Sequence, residues 1–114
     1  MVRARVTTLC TGLPAVEAEA DQHVGFSVRG KRFAWYLDDH HGDGRVALNC
    51  KAPPGRNSEL TAEHPERFFI PAYLGKRGWI GLYLDTERID WDEVERLIVD
   101  AYRMTAPRRL LERL

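Results

Sequence analysis

The last third of the chain contains the pattern that most constrains its fold. From Trp91 to Thr105 apolar residues recur at spacings of three and four positions, which is the periodicity of one face of an α-helix. Asp90 stands directly before this stripe and Glu93 follows three positions later, a pattern typical of a capping box at a helix start. The sequence therefore predicts a long amphipathic helix that must pack against an apolar surface, and Pro107 ends it.

Alternating segments supply that surface. Three runs alternate apolar residues with polar or small ones, as strands with one buried face do; they cover residues 23–28, 31–37 and 45–51. Arg29 and Gly30 connect the first two, and glycine accepts the positive φ that a tight hairpin turn requires. The pattern predicts an antiparallel meander with one buried face.

The remaining segments complete the order of elements. Residues 2–11 have helical spacing, residues 17–21 form an acidic polar linker, and Asn57 or Ser58 is the candidate cap of a short helix. A short extended piece at residues 66–70 and an alternating strand at residues 79–84 precede the last helix. We predict a single α+β domain over residues 1–114. Its antiparallel sheet has about four to five strands, and the N-terminal and long C-terminal helices pack on one face.

The charge of the chain and the length of its apolar runs limit where the protein resides and what it binds. The chain has 17 basic and 17 acidic residues, which disfavours a strong non-specific DNA binder. The distribution is uneven, because residues 29–84 hold nine basic and six acidic side chains whereas residues 85–100 hold two basic and seven acidic ones. No apolar run approaches the ~18 residues of a membrane span, and the N-terminus lacks the apolar core of a signal peptide. We expect a cytoplasmic protein without a membrane partner, in which Cys10 and Cys50 are buried free thiols.

No catalytic or metal-binding constellation is visible. Nucleophile-elbow, Walker and dinucleotide glycine patterns do not occur. Residues 38–43, Asp-Asp-His-His-Gly-Asp, contain ligand types for first-row metals, but adjacent histidines on one short loop seldom converge on one ion. We interpret this segment as a polar hairpin loop, and we expect neither enzymatic activity nor a metal or other cofactor.

Several local strings, in order, resemble the MmcQ/YjbR-like family. They are Gly-Lys-Arg-Phe-Ala at residues 30–34, Leu-Asn-Cys-Lys at 48–51, Pro-Ala-Tyr-Leu-Gly-Lys-Arg-Gly-Trp at 71–79, Leu84-Asp85, and Asp100-Ala101-Tyr102. The resemblance spans about residues 9–114. It implies a fold similar to the double-wing DNA-binding domain of a phage transcription factor, and DNA binding as the function. The zero net charge and the seven acids of residues 85–100 depart from that expectation.

The sheet face turned away from the helices is the predicted site. If the alternation continues, this face presents Arg32, Ala34, Tyr36, Asn49, Lys51, Trp79, Gly81 and Tyr83. Aromatic rings stack on bases and cations neutralise phosphate. The predicted nucleic-acid-binding residues, including those in adjoining turns, are Lys31, Arg32, Tyr36, Lys51, Lys76, Arg77, Trp79 and Tyr83.

Alternatives to nucleic acid stay open for that face, and a second basic segment is also a candidate. The face would also suit a protein partner, a second copy of the chain or a small planar ligand, or it is covered by residues 71–75. The basic tail is either a flanking arm on phosphates or a solvated helix end; its cations are Arg103, Arg108, Arg109 and Arg113.

Overall fold

Six antiparallel strands form one sheet in the computed structural model, which describes residues 1–114. In chain order the strands are β1 (Val16–Ala20), β2 (Val24–Val28), β3 (Lys31–Asp38), β4 (Val46–Cys50), β5 (Phe68–Phe69) and β6 (Ile80–Tyr83). Their order across the sheet is β1-β2-β3-β4-β6-β5. The helices are α1 (Val2–Thr11), α2 (Arg56–Glu63), α3 (Trp91–Arg103) and α4 (Arg108–Leu111), and two 3₁₀ turns cover His40–Gly42 and Leu74–Arg77. The predicted α+β class is confirmed.

One strand more than the predicted four to five is present because residues 17–21 are not a linker. They largely coincide with β1, which pairs antiparallel with β2, so that Ala18 lies opposite Phe26. Nearly all of β1 is exposed, and it lies at the sheet edge. Carboxylates on a short edge strand discourage pairing with further strands. The strand is held by backbone hydrogen bonds rather than by an apolar face, so the hydrophobic pattern did not reveal it.

The helices cover one face of the sheet, as predicted. A single cluster of 21 buried residues joins Val6 of α1, Ile98 of α3 and Leu110 of α4 to the inward side chains of the strands. At the start of α3 the carboxylate of Asp90 accepts hydrogen bonds from the backbone N–H groups of Asp92 and Glu93, at 3.1 and 3.2 Å. None of the helices is both long and apolar enough to cross a lipid bilayer.

A β-bulge in the β2–β3 hairpin changes which side chains face the helices. Ser27 pairs with Arg32, but Phe26 pairs with Ala34, so Phe33 is an extra residue on β3. Phe33 and Ala34 are both fully buried in the core cluster. The alternation of β3 is therefore inverted beyond the bulge.

The inversion corrects two of the predicted orientations. Ala34 and Tyr36 were expected on the open face, but both belong to the core on the helix side. Trp35 and Leu37, which alternate with Ala34 and Tyr36 and were therefore expected on the core side, lie on the open face instead, where both contribute to the same cavity.

The predicted cap of α2 is also wrong, for a reason that matters to the site. Gly55, with φ of 81°, occupies the N-cap position, and no side chain caps the helix. Asn57 is buried, and its amide nitrogen donates hydrogen bonds of 3.1 Å to the carbonyl oxygens of Gly75 and Trp79. This side chain ties α2 to the 3₁₀ turn that precedes β6.

Both cysteines are buried free thiols, as predicted. Burial raises the pKa of the Cys50 thiol to about 12, and it raises the pKa of Cys10 as well. Each thiol therefore stays protonated at neutral pH, which suits a packing role.

Candidate nucleic-acid interface

One row of paired residues organises the open face of the sheet. Each member lies directly opposite the next across a strand pair; in spatial order the row is Glu19, Gly25, Trp35, Asn49, Gly81 and Phe69. Because residues directly opposite one another project to the same face, the row places an indole and an amide side by side in the middle of the sheet.

The two glycines of this row make room for flat-lying side chains. A Cβ atom at Gly25 would overlap the guanidinium of Arg32, whose Cζ lies 4.3 Å from the ring centroid of Trp35. A Cβ atom at Gly81 would overlap the ring of Phe69. The absence of both Cβ atoms lets Arg32 and Phe69 lie close against the sheet.

A groove at one end of the row collects cations from three separate segments. It has a volume of about 480 Å³ and is called the basic groove here; it is lined by Lys31, Arg32, Trp35, Lys51, Leu74, Arg77 and Trp79. The first two cations begin β3, Lys51 follows β4 directly, and Arg77 ends the 3₁₀ turn before β6. The structure thus brings together five of the eight predicted site residues.

Most of these cations lack an acidic partner. Lys31, Lys51 and Arg77 form no ion pair. Arg32 lies 3.3 Å from a carboxylate oxygen of Glu19, whose side chain is 78% exposed, and such exposed pairs are weak. The basic groove is therefore locally positive although the whole chain is neutral.

The acidic first turns of α3 do not cancel this charge. The helix packs on the opposite face of the sheet through residues such as Val94 and Ile98. One of its acids, Glu93, accepts a hydrogen bond of 2.8 Å from Arg67 and is partly neutralised there. The sheet therefore lies between the acids of α3 and the basic groove.

The other three predicted residues lie elsewhere. Lys76 is exposed on the same 3₁₀ turn as Arg77 but does not line the groove. Tyr36 is on the helix side, 5% exposed, with the guanidinium of Arg3 5.9 Å from its ring centroid. Tyr83 is on the open face at its far end, where the Cζ atom of Arg45 lies 3.7 Å from its ring centroid and Phe69 packs at 4.7 Å. The prediction that Tyr36 contacts a ligand on the open face is therefore wrong. The ring of Tyr83 is already in contact with Arg45 and Phe69.

A second cavity adjoins the basic groove and shares Trp35 and Leu74 with it. It has a volume of about 420 Å³ and is called the aromatic pocket here. Its floor is built from sheet residues, namely Trp35, Leu37, Ala47, Asn49 and Phe69. The segment Pro71–Leu74 forms one wall, and His40 and His41 of the first 3₁₀ turn contribute to the other.

The aromatic pocket also has polar lining residues, among them the charged Asp43 and Arg45, and Arg45 is paired with Asp85. Asn49 is 6% exposed, its side chain makes no hydrogen bond, and its Oδ1 atom is buried without a partner. The rings of His23 and His40 are 5.1 Å apart and those of His40 and His41 are 3.9 Å apart. Burial, and then the neighbouring His41 and His23, lower the pKa of His40 and so favour its neutral form. Asn49 and the neutral form of His40 suit hydrogen bonding to an uncharged ring.

These histidines do not form a metal centre. No group of three or more His, Cys, Asp or Glu side chains is arranged to hold a metal ion. His23 is engaged otherwise, since its Nδ1 atom accepts a hydrogen bond of 3.0 Å from the backbone N–H of Asp38.

The walls of the aromatic pocket contain strained backbone. Tyr73 has φ of 67° and ψ of −51°, and a hydrogen bond of 2.7 Å from the N–H of Leu74 to the carbonyl of Ala72 closes a γ-turn around it. Its side chain is 86% exposed. On the other wall His41 also has positive φ, at 57°. Positive φ at non-glycine residues costs about 1–3 kcal/mol each and is concentrated at binding and active sites.

Sequence reasoning missed Trp35, which lines both cavities. Residues 33–37, Phe-Ala-Trp-Tyr-Leu, form an apolar run without a polar residue to fix its orientation. Such a run leaves the register open, and the observed bulge decides it. Gly25 directly opposite Trp35 was the available hint, because a glycine in a strand often marks a bulge or a close approach.

The fold and site define an α+β protein with an open sheet face that carries a basic, tryptophan-lined groove. The YjbR family model matches residues 11–104, and the chain belongs to this family. The family that the local strings of the sequence resemble is thereby confirmed. Among curated proteins no significant match was found.

Two solved structures share the fold. A Deinococcus radiodurans protein with a DUF419 domain has a TM-score of 0.73 and 22% identity, over 90% of this chain and 76% of that chain. A Pseudomonas syringae protein has a TM-score of 0.65 and 14% identity, over 90% of this chain and 97% of that chain. At these identities the likeness establishes the architecture and says nothing of the ligand.

Proposed function

We propose that this protein binds nucleic acid on the open face of its sheet and carries out no chemistry of its own. The observation that supports this function is the basic groove, in which four cations surround Trp35 and Trp79. Phosphates would lie against Lys31, Lys51 and Arg77, and Trp35 would pack on sugar or base.

The free cations favour phosphate over other partners. Unpaired lysine and arginine side chains on one concave surface gain most from a polyanion, because each phosphate contact releases condensed counterions. Trp79 is only 4% exposed and supports the groove, whereas Trp35 is half-buried, with the guanidinium of Arg32 on its ring and the rest of the indole accessible. Indoles beside cations form the usual platform for a flexible strand.

The test compares two charge-reversed proteins that carry the same net charge. Lys51→Glu/Arg77→Glu changes the basic groove, whereas Arg108→Glu/Arg109→Glu changes exposed residues of α4 on the helix side. Fluorescence anisotropy would be measured with labelled single-stranded DNA, double-stranded DNA and RNA at ~50 and ~200 mM salt. We expect wild type and the α4 variant to bind with salt-sensitive affinity, and the groove variant to lose ~10-fold or more and about two units of salt slope.

Two other outcomes would contradict the proposed site or the proposed function. Loss in the α4 variant alone would move the site to the basic tail. No binding to any of the three nucleic acids at low salt would eliminate the proposal, and it would leave a protein-interaction or small-ligand module as the function to test.

A further inference from the structure

We infer that the aromatic pocket receives the unpaired base of a nucleotide whose phosphate lies in the basic groove. This inference deepens the proposed function and rests on it. The two cavities share Trp35 and Leu74, so a ligand that extends from one to the other passes along the edge of one indole. In a nucleotide a sugar links a phosphate to a flat ring. The phosphate matches the cations of the basic groove, and the ring matches the aromatic pocket.

The pocket has the dimensions and floor of a site for a planar ligand. Its volume of about 420 Å³ falls within the range of small-molecule sites. The floor lies on the sheet itself, where Trp35 and Asn49 are cross-strand neighbours and Phe69 folds over Gly81. A heterocycle placed on this floor would contact ring surface and one amide.

Asn49 is the residue that would recognise the base by hydrogen bonding. The Oδ1 atom of Asn49 is buried without a hydrogen-bond partner, which is unusual, and such an acceptor gains when a donor of a ligand reaches it. The hydrogen-bonding edge of a base carries donors and acceptors side by side, and asparagine and glutamine amides pair with such edges. In a duplex the Watson–Crick edge is already paired, so the pocket would take a base from a single strand or one turned out of the helix.

Tyr73 supplies a second ring at the rim. It is 86% exposed, and the γ-turn of Ala72, Tyr73 and Leu74 fixes the backbone that carries it. An aromatic side chain kept in solvent beside an apolar pocket suits closure over a bound base. Because Tyr73 makes no buried contact, its replacement tests the inference without unfolding the protein.

The first experiment follows the amide and indole groups by NMR. ¹⁵N-labelled protein would be titrated with deoxynucleoside monophosphates and, as the baseless probe, with deoxyribose 5-phosphate. Both probes should shift the backbone amides of Lys31, Lys51 and Arg77. Only the nucleotides should shift the side-chain amide of Asn49 and the backbone amides of Ala72 and Tyr73, which line the aromatic pocket but not the groove. The indole N–H of Trp35, which lines both cavities, should respond to both probes.

The second experiment uses strands with and without bases. Tyr73→Ala should weaken binding of a single-stranded oligonucleotide by ~10-fold, in line with the loss of one base–aromatic stack. It should leave the affinity for an abasic strand of the same length unchanged, and Tyr73→Phe should restore wild-type binding. An equal loss on both strands would overturn the inference.

The outcomes separate this inference from the function on which it rests. If both probes shift only groove residues, the basic groove holds phosphate and the base pocket is refuted. If nucleotides shift Asn49 and Tyr73 but no oligonucleotide binds, the pocket takes a free nucleotide and the nucleic-acid function fails. If neither probe nor any strand produces a shift, both proposals fail together.

Discussion

The phenol oxygen of Tyr102 in α3 donates a hydrogen bond of 2.7 Å to the carbonyl oxygen of Pro14, which follows α1. The two residues are 88 positions apart, and the ring of Tyr102 is completely buried against Phe33 at a centroid distance of 5.7 Å. Burial raises the pKa of this phenol, so the hydroxyl remains a donor well above neutral pH. One side chain thus joins α3 to the segment that follows α1.

Tyr102→Phe should lower the free energy of unfolding by ~1 kcal/mol, because it removes the donor and leaves the carbonyl of Pro14 unpaired. Urea unfolding followed by tryptophan fluorescence measures this change. Tyr83→Phe is the matched control, since the hydroxyl of Tyr83 makes no hydrogen bond to the protein, and its effect should be near zero. Equal stability of the two variants would show that the Tyr102–Pro14 bond contributes nothing.

Leu97→Ala should lower the free energy of unfolding by ~2–5 kcal/mol, because Leu97 is 8% exposed and belongs to the apolar stripe of α3. Glu95→Ala, on the exposed side of the same helix, is the control and should change stability by no more than ~0.5 kcal/mol. Similar urea midpoints for the two variants would contradict the buried stripe.

The two principal helices could be predicted because periodicity alone defines them. Residues 2–11 and the stripe that ends near Thr105 each repeat at helical spacing, and Asp90 marks the start of α3 in both sequence and structure. The bulge at Phe33 could not be predicted, because it depends on how a continuous apolar run settles between β2 and β4. That single extra residue moved Tyr36 into the core and Trp35 onto the open face.

The site, too, has one part that could be predicted from the sequence and one part that could not. Lys31, Lys51 and Arg77 stand at strand ends and in a turn, and their accessibility does not depend on strand register, so the sequence was sufficient to nominate them. The aromatic pocket was not predicted, because its walls come from two loops about thirty positions apart that meet only in the folded sheet.

Asn57→Ala should lower the free energy of unfolding by ~1–3 kcal/mol, because the buried carbonyl oxygen of Trp79 loses its side-chain donor and that of Gly75 keeps only the backbone N–H of Gly78. It should also weaken nucleic-acid binding, since the 3₁₀ turn between these carbonyls carries Arg77. Urea unfolding and anisotropy on the same samples measure both effects. Ala62→Ser, at an exposed position of α2, should change neither, and full binding by Asn57→Ala would show that the turn holds its position without this tie.

Asp85 links β6 to β4 and should make stability depend on pH. Its carboxylate accepts two hydrogen bonds of 2.8 Å from Arg45 and one of 3.0 Å from the backbone N–H of Val46. The hydrogen bonds from Arg45 are the main reason that the pKa of Asp85 falls from 3.8 to about 2. Because the folded-state pKa lies below the unfolded one, the stabilisation is complete above pH ~4 and disappears as the pH falls through ~2.

Asp85→Asn should therefore have a lower urea midpoint than wild type at pH ~7, and the difference should shrink between pH ~4 and ~2 as the wild-type carboxylate becomes protonated. Glu87→Gln is the control, because Glu87 is exposed and forms no ion pair, and it should follow wild type at every pH. A difference that stays constant across the whole range would mean that the variant loses packing rather than charge. In that case the relevant contact would be the guanidinium of Arg45 on the ring of Tyr83, 3.7 Å from its centroid, which Asp85 holds in place.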